Sequence, residues 1–369
     1  MKEQPFKKRR VGVLMGGLSR EREISLKTGK AVLKALIDKG YNAHPIDVGP
    51  DVAEVLFKEK IECAFVALHG RYGEDGTVQG MLELMGIPYT GSGVLASALA
   101  MHKVISKKIL LCEKIPTPAY EVFGRGEIEK DSLRPLSLPL PVVIKPAREG
   151  STIGISIVRT KDDLLPALRE AAAYDDEILV EEFMKGKEIT VGILGDIPLP
   201  IIEIVPKSGF YDYHSKYTKG ETQYIIPARI PREKYLYAQE IGLKAFRSLG
   251  CSGCARVDLM TDEEGNPFVI DVNTMPGMTE TSLLPQAAAF AGIAFEELVE
   301  RILLGAALKI EGGMSRMERR SGGNHTSSPS VNHRGEDKGT KPSQESFKWK
   351  TDSRRRRVDR GIWKVDGSR

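Results

Sequence analysis

Arg256-Val257-Asp258 and Asp271-Val272-Asn273-Thr274-Met275-Pro276-Gly277 are the segments on which the reading of this chain turns. Asp258 closes one apolar strand, and thirteen residues further on Asp271, with Asn273 close behind, closes a second. The intervening Asp262-Glu263-Glu264-Gly265-Asn266 is rich in turn formers, so the two runs are expected to form an antiparallel hairpin. That pairing carries Asp258, Asp271 and Asn273 to one end of a sheet. Asp271 and Asn273 stand two apart and share a face of their strand. Three hard oxygen donors converging there suit Mg²⁺, which is held by a few carboxylates together with nucleotide phosphates. Read alone, each is equally an ordinary polar residue at a strand end.

Upstream, strand and helix patterns alternate. Val11–Met15, Ala43–Val48 and Cys63–Leu68 read as strands, with a helix over Arg20–Lys39 stopped by Gly40. Ser19 occupies an N-cap position, with Glu21 and Glu23 in the first turn. This alternation predicts an α/β chain with a parallel sheet, its ligands beyond the C-terminal strand ends, where Gly16-Gly17 and His69-Gly70 fall. A second unit begins near Met101. Its strands Pro139–Lys145 and Ile155–Val158 flank Pro146-Ala-Arg148-Glu149-Gly150-Ser151-Thr152-Ile153-Gly154, which is either a hairpin loop or a phosphate-cradling nest. A helix over Asp162–Tyr174 and a strand over Ile178–Phe183 follow, then strands over Glu188–Leu194 and Leu199–Val205. The aperiodic, polar Lys207–Tyr224 has the length of a lid or binding loop.

Composition narrows the class. A chain of 369 residues buries a large core and suggests two or three domains. No apolar run is long enough to cross a bilayer, and Val11–Met15 is too short for a secretory signal core, so a cytoplasmic protein is expected. Four cysteines make no disulfide framework, and Cys251-Ser-Gly-Cys254 lacks the second pair or histidine that a metal site requires. The net charge of +4 hides an asymmetry: residues 312–369 carry five Lys and ten Arg against seven acids, leaving −4 for residues 1–311. That tail is poor in apolar residues, contains Arg354-Arg355-Arg356-Arg357, and is expected to be disordered.

Four motifs then converge. His69-Gly-Arg-x-Gly-Glu-Asp-Gly, Lys145-Pro-x-Arg-Glu-Gly-Ser, Tyr211-Asp-Tyr-x-x-Lys216-Tyr217 and Asn273-Thr-x-Pro-Gly-Met-Thr resemble, in order and spacing, the D-alanine–D-alanine ligase family. The resemblance runs from about Val11 to Leu308 and stops before the tail. It implies the ATP-grasp fold with an N-terminal, parallel-sheet Rossmann-like substrate domain at 1–102. A central lid domain at 103–187, a C-terminal catalytic domain at 188–311 and the disordered basic tail at 312–369 complete that organisation. It also implies ATP-driven formation of D-alanyl-D-alanine for peptidoglycan precursors through an acyl phosphate, in a cytoplasmic homodimer with no membrane or nucleic-acid partner.

The same resemblance implies roles. Asp258, Asp271 and Asn273 match ligands of Mg²⁺ (or Mn²⁺), with two ions expected. Asp271 stands where many relatives carry Glu, one methylene longer, which bears on the bridging of two ions. Lys103, Lys145 and Lys216 match phosphate-contacting lysines, Glu181-Glu182-Phe183-Met184 the adenine slot, and Glu188 the ribose contact. Glu21 matches the ligand of the first D-alanine amine, and His69 lies near that substrate. Ser282 and Leu283 open a helix over Ser282–Phe290 whose N-terminus suits the second carboxylate. Arg256 and Gly277 N–H match the groups that stabilise the tetrahedral oxyanion, while Ser151 and Tyr217 form with Glu21 a network that closes the loop. Bland readings stand beside these: Glu21 as a helix first-turn acid, Phe183 and Met184 as core, Arg256 as an ion-pair partner of Asp258.

Two rivals are distinguishable. A ligase of the same fold using D-lactate or D-serine would differ in acceptor use, and Lys216-Tyr217 favours D-alanine over D-lactate. Nucleic-acid binding through the tail would fall steeply with salt. Deletion of residues 312–369 is expected to leave turnover largely unchanged; a large loss in a steady-state assay would mean that the tail docks on the core.

Overall fold

The computed structural model describes residues 5–130, 133–150, 153–207 and 220–310. All belong to one compact unit, Met1–Arg319. Ser151, Lys216, Tyr217 and the basic tail lie outside the described residues.

Residues 11–101 build the first lobe. Strands β1 (Val11–Met15), β2 (Ala43–Asp47) and β3 (Cys63–Val66) pair in parallel in the order β2-β1-β3, as the alternation predicts. Helix α1 spans Arg22–Asp38, two residues shorter at its start than expected, with Glu21 rather than Ser19 at the N-cap. Ser19 acts one turn earlier: its Oγ accepts Glu21 N–H at 3.1 Å and donates to His69 O at 2.6 Å. Helices α2 (Val52–Lys58), α3 (Thr77–Met85) and α4 (Val94–Met101) follow.

Helix α5 (Lys103–Cys112) leads into a four-stranded antiparallel sheet of order β4-β7-β5-β6. Its strands are β4 (Tyr120–Gly124), β5 (Val142–Pro146), β6 (Ser156–Val158) and β7 (Glu177–Glu182). Helices α6 (Arg125–Glu129) and α7 (Leu164–Ala172) cover one face, where Ile144, Leu168, Ile178 and Val180 are fully buried.

The third sheet, β11-β10-β8-β12-β13 with β9 (Ile197–Pro198) beside β8, is antiparallel throughout. It contains β8 (Glu188–Leu194), β10 (Ile202–Pro206), β11 (Thr222–Ile225), β12 (Cys254–Thr261) and β13 (Pro267–Asn273). The strand expected to start at Leu199 starts at Ile202, because Leu199 N–H turns back to Gly192 O at 2.7 Å. One face packs on the helix Arg232–Ser248 through Val191, Ile193, Val257 and Leu259. The other meets the helices Leu283–Phe290 and Phe295–Leu304, which also cover β1 and α1, so a single apolar cluster joins the first lobe to the third sheet.

Among the described residues no helix is long and apolar enough to cross a membrane. Leu168, on the inner face of α7, is fully buried, whereas Leu84 on α3 is 82% exposed. Leu168→Ala is expected to lower stability by about 2–5 kcal/mol and Leu84→Ala by no more than about 0.5 kcal/mol, both measurable by urea denaturation.

Candidate active site

A cavity of about 870 Å³ is walled by the first lobe and by both antiparallel sheets. That volume lies within the range usual for small-ligand and cofactor sites, about 300–1,000 Å³. Glu21, His69, Lys103, Lys145, Glu181, Glu182, Phe183, Met184, Glu188, Arg256, Asp258, Asp271, Asn273, Gly277, Ser282 and Leu283 all line it. Every site residue singled out from sequence that the structure describes is thus brought to one place.

The hairpin forms one wall. Strands β12 and β13 pair with Asp258 opposite Asp271 and Arg256 opposite Asn273, so these four side chains share a face. A bulge follows: Asp258 pairs with Asp271 but Leu259 with Val269, leaving Ile270 unpaired beside the cavity. Arg256 grips Asp258 with a two-pronged fork, Nε to Oδ1 and Nη2 to Oδ2, each at 2.8 Å. Thr190 on neighbouring β8 donates to the same Oδ1 at 2.6 Å. The ion pair read from sequence as the bland alternative for Arg256 is therefore present. Asp271 faces Lys103 Nζ at 3.7 Å, and Asn273 Oδ1 accepts Met275 N–H at 2.8 Å. No group of three or more His, Cys, Asp or Glu among the described residues is arranged to hold a metal ion. The oxygen set here is two carboxylates and an amide, which fits a hard cation that takes further ligands from phosphates and water.

The facing wall comes from the four-stranded sheet. Lys145 on β5 and Lys107 on α5 both pair with Glu181 on β7, whose side chain is 2% exposed. Burial alone would raise the Glu181 carboxyl, but the two ammonium groups hold it below the usual carboxylate range. Beyond β5, Arg148 forks onto the buried Asp175, which also accepts Arg148 N–H at 2.7 Å and so fixes the start of the loop Ala147–Gly150. Lys103 Nζ donates to Glu149 O at 2.8 Å, and Arg71 of the first lobe pairs with the Glu149 carboxylate at 2.8 Å.

Another part of the lining is built from glycine-flanked polar groups. Glu21 lies against Gly70, at φ +70°, where a side chain would run into Glu21 Oε2. His69 is buried, with Nε2 3.0 Å from Thr28 Oγ1 and Nδ1 3.4 Å from Glu74 Oε1. Gly277 sits so close to Ser282 that a Cβ there would approach Ser282 Oγ to 2.9 Å. Ser282 is the N-cap of the helix Leu283–Phe290, its Oγ accepting Thr279 N–H at 3.1 Å.

Two groups escaped the sequence reading. Lys107 follows Lys103 by one helical turn, an unfavourable like-charge spacing unless an acid lies between, and that acid, Glu181, is distant in sequence. Glu203 is buried at the cavity, receives a fork from Arg229 and lies 3.1 Å from Lys187 Nζ. Burial would raise its carboxyl, yet Arg229 and Lys187 bring it down to about 2. Cys251 and Cys254 are buried free thiols that burial pushes up to about 12, away from redox or metal chemistry.

A family model described as "D-ala D-ala ligase C-terminus" matches residues 110–304, and one described as "D-ala D-ala ligase N-terminus" matches residues 50–92. A D-alanine–D-alanine ligase of Geotalea uraniireducens is 55% identical over 305 residues, 83% of this chain and 98% of that protein. The chain belongs to the D-alanine–D-alanine ligase family. The Syntrophotalea carbinolica ligase is 54% identical over 84% of this chain and its own full length. Among solved structures, the Bacillus anthracis ligase complexed with ATP matches with a TM-score of 0.69 and 39% identity, over 80% of this chain and 96% of that one. The VanG D-Ala:D-Ser ligase of Enterococcus faecalis matches with a TM-score of 0.67 and 31% identity, over 80% of this chain and 98% of that one. These neighbours share the ATP-grasp fold, and the three sheets here have that architecture.

The depressed Glu203 carboxyl stabilises the fold above its unfolded value of 4.5, and that contribution is lost as pH falls toward about 2. Thermal denaturation of Glu203→Gln between pH 6 and pH 2 is expected to show lower stability at pH 6 and a shallower acid limb than the parent.

Proposed function

We propose that this chain joins two D-alanines into D-alanyl-D-alanine at the expense of ATP, and that the cavity is where it does so. The convergence of the described site residues of three of the four motifs on one cavity carries this reading, together with relatives more than 50% identical over most of the chain. The three sheets would then serve as the substrate, lid and catalytic domains, at 1–102, 103–187 and 188–311. A cytoplasmic homodimer belongs to the same proposal.

Each wall has its task. Glu181–Met184 receives the adenine and Glu188 the ribose, while Lys103, Lys145 and Lys216 meet the phosphates. Asp258, Asp271 and Asn273 would hold Mg²⁺, two ions being the fuller expectation. A bound Mg²⁺ neutralises phosphate charge during phosphoryl transfer. Glu21, near His69, binds the ammonium of the first D-alanine, whose carboxylate oxygen attacks the γ-phosphorus and expels ADP. The N-terminus of the helix Leu283–Phe290, with Ser282 and Leu283, receives the second carboxylate. The second amine, losing its proton, attacks the acyl carbon. Arg256 and Gly277 N–H steady the oxyanion until phosphate leaves. Arg256 already stands in its fork with Asp258, so its guanidinium is oriented before substrate arrives. Ser151 and Tyr217 join Glu21 in closing the site against water.

The test is phosphate release from ATP and Mg²⁺ with D-alanine alone, then with D-serine or D-lactate added, products identified by mass. Dipeptide from D-alanine alone supports the reading, activity only with a second acceptor moves the specificity, and no release in any mixture sinks it. Lys145→Ala and Asp258→Ala are each expected to abolish ADP formation in folded protein. Near-normal turnover in either would remove the phosphate or metal assignment.

A further inference from the structure

Lys107 is 2% exposed and lies behind the cavity wall rather than on it. Its Nζ donates to Thr117 Oγ1 at 2.5 Å and to Pro118 O at 3.0 Å, and stands 2.6 Å from Glu181 Oε1. The one hydrogen of the Thr117 hydroxyl is committed to Val269 O at 2.8 Å, so toward Lys107 that oxygen accepts. The Pro118 carbonyl accepts as well, and the Glu181 carboxylate lies at ion-pair distance. Two hydrogen-bond acceptors and a carboxylate crowd one nitrogen, with no donor to a neutral amine's lone pair among these contacts, an arrangement that suits an ammonium. The Tyr120 ring, 5.1 Å away, favours the same cation. Burial draws the Lys107 ammonium below its ordinary value, and the Glu181 carboxylate works against that, so these contacts favour the charged form.

Glu181 spans this cation and a second, Lys145, which lines the cavity. A buried carboxylate bonded to a single lysine makes a neutral pair. Bonded to two, it leaves one positive charge over, and Lys145 is the end of the triad that reaches the cavity. We propose that Lys107 is a positioning residue: by matching Glu181 from behind, it leaves the Lys145 charge uncancelled toward the nucleotide's phosphates. This deepens the reading of the cavity as a nucleotide site and rests on it. It gives a task to a lysine that touches no substrate and whose burial would otherwise only cost stability.

The test compares the parent with Lys107→Met, Lys107→Arg and the double variant Lys107→Met/Glu181→Gln. Each is loaded with a fluorescent ATP analogue, and inorganic tripolyphosphate and adenosine are titrated in separately as competitors. Lys107→Met is expected to weaken tripolyphosphate about tenfold or more while adenosine changes less than about twofold. Lys107→Arg, which keeps the charge, should stay near the parent. The double variant removes both buried charges together and leaves the Lys145 charge uncancelled. Its tripolyphosphate affinity, measured against that variant's own affinity for the reporter, should therefore return, whatever Glu181→Gln does to adenosine in the adenine slot. Equal losses for both competitors, no loss in Lys107→Met, or no recovery in the double variant would each overturn the proposal. If Lys107→Met does not fold, Lys107→Gln takes its place: a selective loss of tripolyphosphate of about tenfold supports the triad, and parent-like affinity overturns it. A parent protein from which tripolyphosphate displaces nothing would remove the nucleotide-site reading itself, and the triad's role with it.

Discussion

Buried charge must be matched before it can be used, and the cavity wall is organised by that constraint. Glu181, Glu203 and Asp258 are acids at the cavity, and each is met by fixed cations: Lys107 with Lys145, Arg229 with Lys187, and Arg256. Where both partners are buried, as Lys107 and Glu181 are, removing one costs about 3–5 kcal/mol because the other charge is left stranded. Arg229 and Lys187 are exposed, and solvent screens their pairing. The partners come from different elements, so the ion pairs also fix how β5, β7 and α5 sit against one another. Arg229 and Lys187 likewise tie β10 to chain segments outside it. The cavity proposed to receive a polyanion is thereby held together in advance by its own counter-charges.

The first lobe reaches into the same network. Arg71, from the motif after β3, pairs with Glu149 in the loop after β5, and Lys103 holds the carbonyl of that same residue. The single apolar cluster under α1, β1 and the two C-terminal helices supplies the rigid base on which these polar contacts are arranged. Glu21 lies between the two halves, close to Gly70 on one side, with Gly150 on the other.

Much of this was legible in the chain. Alternation gave the parallel sheet, and turn residues between two apolar runs gave the hairpin, whereas Asp258 falls opposite Asp271 only because the bulge at Ile270 shifts the register by one. Local chemistry was harder to place: Ser19 was read as the N-cap, but its hydroxyl serves a turn that precedes the helix and links to His69. Lys107 and Glu203 stayed hidden for a different reason. A lone lysine on a helix or a glutamate in a strand reads as a solvated residue, and only the fold brings the partner that lets it be buried. Where an acid and its cation are neighbours in sequence, as Arg256 and Asp258 are, the pair could be named beforehand. Across seventy-four residues, from Lys107 to Glu181, it could not.

The bulge at Ile270 has a bearing on how this chain tolerates changes of length. Residues added to the turn at Asp262–Asn266 extend into solvent and leave both strands in register. A single residue gained or lost between Ile270 and Asn273 would act otherwise. With a side-chain period of two, it would exchange the faces of Asp271 or Asn273 with that of Val272, turning oxygen donors into the sheet's apolar underside. The last four residues of β13 are thus bound by parity as well as by identity, and insertions there are filtered by geometry before chemistry is consulted.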